Sequence, residues 1–76
     1  MNKDPQHIHV EYEVLTSGPT GTLFKVYTPY NEAEYHINNQ DCAIMRRNQE
    51  EVLEQRILED IRPQFPEVEH ITLLRR

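Results

Sequence analysis

The sequence predicts a two-layer α+β domain: a mostly antiparallel β-sheet in the order β–β–β–(β)–α–β, packed on one main helix. Three observations carry this reading. From His7 to Leu15 the residue types alternate, with Ile8, Val10, Tyr12 and Val14 on one side and His7, His9, Glu11 and Glu13 on the other. That period of two belongs to a half-buried strand. From Asn48 to Arg62 the period lengthens, and Leu53, Ile57 and Ile61 recur at i, i+4, i+8, a stripe that faces a core. Short runs rich in β-branched and aromatic residues fill much of the remainder, separated by turn residues.

Taken in order, residues 1–6 read as a flexible arm, followed by one domain over 7–76. After the first strand, Thr16 to Gly21 supplies a turn in which both glycines of the chain are expected at positive φ. Thr22 to Thr28 is a second strand with Phe24 and Val26 inward and Lys25 and Tyr27 outward, paired as a hairpin. Pro29 to Glu32 turns the chain into a third strand, Glu34 to Asn38, with Tyr35 and Ile37 inward and His36 outward. Asn38 to Asp41 is polar and turn-like. Cys42 to Arg47 reads either as a fourth strand or as a helical turn capped by Asp41. Ile44 falls off the stripe of Leu53 and Ile57, which favours the strand. Asn48 caps the main helix, with Glu51 placed to complete a capping box, and Pro63 stops it. Phe65 is placed to plug the base of the core, and Val68 to Leu74 forms the last strand.

A chain of 76 residues builds one small core and no second one. Apolar content is 37%, below the ~45–50% usual for globular chains, so a partner or a homodimer has stability to contribute. Thirteen acidic residues against eight basic give a formal charge of −5. This disfavours non-specific phosphate binding, which needs clustered cations, and suits a basic protein surface. The single cysteine, Cys42, excludes an internal disulfide framework. No apolar run reaches membrane-spanning length, so no membrane partner is expected. Met1 to Gln6 lacks the basic-then-apolar order of a signal peptide, and the expected address is the cytoplasm.

Several constellations bear on chemistry. His7 and His9 share a strand face, and His36 would join them if it lay on the neighbouring strand, giving an imidazole set that suits zinc or copper. No metal-site spacing accompanies them, and no metal or cofactor is expected. Cys42 has Asp41 beside it and no histidine or cation adjacent in sequence, so no neighbour activates it as a nucleophile. Glu11 and Glu13 share a face as acid–base pairs do, but a chain this short has little material for a deep pocket. With no phosphate loop, nucleophile motif or cofactor signature, an enzyme is not expected.

Tyr12-Glu13-Val14-Leu15, Ser17-Gly18-Pro19 and Phe24-Lys25-Val26 resemble the first hairpin of a double-stranded-RNA-binding domain. The chain departs from that family in lacking a leading helix and in placing Gly21 near a common histidine position. Acidic residues also stand where that family opens its last helix with lysines, so its phosphate contacts would be missing. The likeness assigns no family.

The expected function is a non-enzymatic protein-binding module, a small regulator or inhibitor that engages a basic partner. Glu50, Glu54 and Glu59 on the helix, with Glu11 and Glu13, are its candidate contacts. By analogy of size and charge alone it is of phage or mobile-element type. The alternative is single-stranded nucleic-acid binding on the exposed sheet face, with Tyr27 and Tyr30 as stacking platforms and Lys25, Arg46 and Arg47 supplying charge, joined by Arg75 and Arg76. A structural homo-oligomer formed through the exposed sheet or an unprotected edge strand is a further alternative.

Overall fold

A computed structural model describes residues 7–76; the arm expected over 1–6 lies outside them. The elements are β1 (His7–Ser17), β2 (Gly21–Tyr27), β3 (Glu32–Asn38), α1 (Asn39–Met45), α2 (Gln49–Ile61) and β4 (His70–Arg75). They form an α+β fold with the strands ordered β3-β2-β1-β4. The β1–β2 and β2–β3 pairs are antiparallel, and β4 returns through the helical layer to lie parallel to β1. A parallel return needs a long crossover, and the α1–α2 segment supplies it.

The alternation in β1 works as expected: Ile8, Val10 and Tyr12 are buried, while His7, His9 and Glu11 are exposed. Phe24 and Val26 of β2 and Ile37 of β3 complete the inner row. The helical layer meets that row through Leu53, Ile57 and Ile61, and Val52 and Leu58, off the stripe, are buried as well. Phe65 is half-buried against this core and stacks on Tyr30, ring centroids 3.8 Å apart. The start of α2 is the expected capping box, with the Asn48 side chain accepting from the Glu51 N–H at 2.8 Å and Glu51 accepting from the Asn48 N–H at 3.0 Å.

Two expectations are corrected. Cys42 to Arg47 is no strand, for α1 occupies Asn39–Met45, capped by Asn38 rather than Asp41. The phase mismatch of Ile44 correctly separates this segment from α2, but an independent helix need not share that phase. Long-range contacts hold α1. The Asn39 amide donates to the Pro19 carbonyl at 3.1 Å, Gln49 donates to Asn39 at 2.8 Å, and Arg56 pairs with Asp41 at 3.1 Å. Arg46 then ends α1 in the left-handed region at φ 57°, a strained position for a residue other than glycine.

The second correction concerns the glycines, neither of which takes positive φ. Gly21 is needed for close approach instead: a Cβ there would lie 2.3 Å from the Ile37 carbonyl oxygen. The atom it meets is backbone on the neighbouring strand, so relief requires β2 and β3 to part. Gly21→Ala is therefore expected to destabilise the fold by about 1–3 kcal/mol, while Gly18→Ala, which meets nothing within 4 Å, changes stability by no more than about 0.5 kcal/mol. Urea unfolding of the two variants checks the contrast.

Candidate partner-binding surfaces

The helices cover one sheet face and leave the other open. Register places the residues of the open face in rows. Glu32, Tyr27, Glu11 and Leu74 lie across the four strands, and Glu34, Lys25 and Glu13 lie beside them. Much of the charge there is satisfied internally. Arg76 lays its guanidinium over the Tyr27 ring, Cζ 3.6 Å from the centroid, and donates from Nε to Glu11 at 2.8 Å. The Tyr27 hydroxyl donates to Glu13, and Lys25 pairs with Glu32 at 3.5 Å. The bond to Glu13 raises the Tyr27 pKa, since a phenolate could not donate it. The bond to Glu11 raises that of Arg76.

This geometry divides the candidate residues. Glu11 and Glu13 sit on the open sheet face, already bonded, whereas Glu50, Glu54 and Glu59 belong to α2 in the other layer. The five form no single surface. Within α2, about 100° per residue sets Glu50 and Glu54 near one another and Glu59 on the far side of the axis. Glu50 and Glu59 are exposed and Glu54 is half-buried. The stripe facing away from the core runs Glu51, Gln55, Glu59, with Gln55 donating to Glu59 at 3.2 Å.

The nucleic-acid candidates are also dispersed. One face of Tyr27 is covered by Arg76, and Tyr30 is stacked on Phe65 beneath the core. Arg46 and Arg47 follow α1, which starts where Asn38 pairs with Gly21. Tyr27 lies at the far end of β2, roughly 20 Å along the strand by its rise per residue. Arg76 therefore reaches Tyr27, but Arg46 and Arg47 do not join it, and the two arginine pairs do not converge.

His36 is on β3, separated from β1 by β2. His70, not His36, lies on the strand beside β1, directly opposite His7. His7 stacks on His9 with centroids 5.3 Å apart and meets His70 edge-on at 6.5 Å. Alternation of β1 foretold the first two, but β4 gave no sign of its neighbour. Among the described residues no group of three or more such side chains is arranged to hold a metal ion. An open depression of about 400 Å³ lies along β3, lined by Lys25, Glu32, Ala33 and Glu34. No helix among the described residues is long and apolar enough to cross a membrane.

At the helical layer, the Tyr35 hydroxyl donates to Asp60 at 2.6 Å, tying β3 to the end of α2. Burial first, and this bond second, raise the Tyr35 pKa well above the usual 10.0. The protonated form is the one the fold favours, so its contribution is complete below pH 10 and is lost as pH rises beyond it. Tyr35→Phe is expected to cost about 0.5–1.5 kcal/mol at neutral pH and to reduce the fall in urea midpoint above pH 10; an unchanged alkaline fall would remove Tyr35 as its source. The chain matches no protein-family model, no curated protein and no solved structure.

Proposed function

We propose that this chain is a small non-enzymatic protein-binding module that engages a basic protein surface through the exposed carboxylates of α2, acting as a regulator or inhibitor by covering what it binds. One observation supports this above the others. The ion pairs among the described residues use Glu32, Asp41 and Glu11, and none uses a carboxylate of α2. Glu50, Glu51, Glu54 and Glu59 thus carry negative charge along the helix outside the ion pairs of the described residues. Glu59 stands in the last turn, where no basic residue is present. A carboxylate there opposes the helix dipole by about 0.3–1 kcal/mol. A charge that does not help the helix, and is not neutralised within the fold, is available to a partner.

Complementary charge acts mainly on encounter rate and selectivity, and is screened by salt over about 8–10 Å. The test is capture of partners from native lysate by the tagged chain, with and without nuclease, read by mass spectrometry. Glu50→Lys/Glu59→Lys is the informative variant. It leaves the Glu51 capping box and half-buried Glu54 intact, it reverses one carboxylate on each side of the helix axis, and the favourable charge gained in the last turn offsets the one lost from the first. A stoichiometric partner that survives nuclease, weakens with salt and is lost in this variant supports the proposal. Capture that disappears with nuclease, or is indifferent to the charge reversal, overturns it.

A further inference from the structure

The sheet has two edges of different character. β3 carries Glu32 and Glu34, and charges along an edge guard it against pairing. β4 pairs with β1 on one side, and its other side has no strand among the described residues. Between Ile71 and Leu74 it has no proline, charge or bulge, and Leu74 is 44% exposed. The devices that keep an edge strand solitary are missing there.

We propose that β4 pairs antiparallel with β4 of a second copy of this chain, about a two-fold axis through Thr72. A two-fold contact must be self-complementary, each residue i meeting j while j meets i. Centring on Thr72 sets Ile71 against Leu73, His70 against Leu74 and Glu69 against Arg75, each twice. Directly opposed residues share a sheet face, so the Ile71–Leu73 pairs lengthen the core face and an opposite-charge pair closes each end. Glu69 and Arg75 are exposed and belong to none of the ion pairs among the described residues. Arg76 is already held by Glu11.

Neighbouring registers lose this match. Centring on Leu73 opposes Arg75 to Ile71. Centring on Ile71 opposes Glu69 to Leu73 and carries Arg75 past fully buried Val68 to Glu67, in a turn rather than a strand. Because the axis is normal to the sheet, both α2 helices lie on one side of the joined sheet. The contact is independent of the partner surface proposed for α2. A six-residue edge falls at the low end of interface sizes, so the dimer dissociates on dilution.

Sedimentation velocity over a dilution series tests it, with circular dichroism confirming that each variant is folded. The wild type is expected to pass from two-chain to one-chain mass on dilution. Thr72→Lys, which places like charges together on the axis from the open sheet face, where Thr72 is half-buried beside His7, abolishes the dimer. Glu69→Arg and Arg75→Glu each weaken it about tenfold by turning two attractions into repulsions, and the double exchange Glu69→Arg/Arg75→Glu restores it. Glu50→Lys/Glu59→Lys leaves it unchanged, which separates this contact from the α2 surface. One-chain mass at every concentration overturns the proposal. A dimer indifferent to Thr72→Lys, or weakened by the single exchanges and not rescued by the double, also overturns it.

Discussion

Burial of one side of α2 against the inner row of the sheet is the contact on which the rest of the molecule depends. Leu53 and Ile57 are fully buried, as are Val10, Val26 and Ile37, and these side chains belong to one continuous core with Phe24 and Ile71. In a chain of 76 residues little else is available to offset the entropy of ordering. The layer also carries the crossover that brings β4 back beside β1. With α2 docked, the sheet has a covered face and an open one, and the chain has an acidic helix exposed along one side. Every candidate surface follows from that division.

The open face shows how a polar sheet surface can be occupied by its own side chains. Arg76 joins β1 and β2 by bonding Glu11 and covering Tyr27, and its N–H donates to the Tyr12 carbonyl at 2.9 Å. Exposed pairs of this kind contribute little stability individually. Their larger consequence is negative. A tyrosine with one face covered and two glutamates already bonded offer less to a ligand than the same residues read from sequence. The carboxylates of α2, which enter no ion pair among the described residues, stand in contrast.

α1 is the least expected element. It buries no residue, and Ile44 is 73% exposed, so hydrophobic patterning cannot announce it. Its contacts run to Pro19, Gln49 and Arg56, all distant or separately folded segments. Local propensity is overridden by capping and tertiary bonds, and the apolar character of Ile44 was misleading because it does not report burial. Gly21 carries a similar lesson. A glycine beside a turn suggests positive φ, but the reason for this one is the carbonyl of Ile37 on another strand.

Some properties were legible in the residues alone. The alternation of β1 and β2, the stripe and capping box of α2, the acidic balance and the α+β class depend on neighbours within a few positions, where the periods of strand and helix act directly. The candidate carboxylates could be named in the same way. Tertiary structure decided what those residues meet. It set His70 rather than His36 beside His7, bound Glu11 to Arg76, separated Arg46 and Arg47 from Tyr27, and left β4 at an edge. These are matters of strand order and register between segments as much as 65 positions apart. A period of two or 3.6 fixes which side a residue faces, but pairing across the sheet fixes its neighbour.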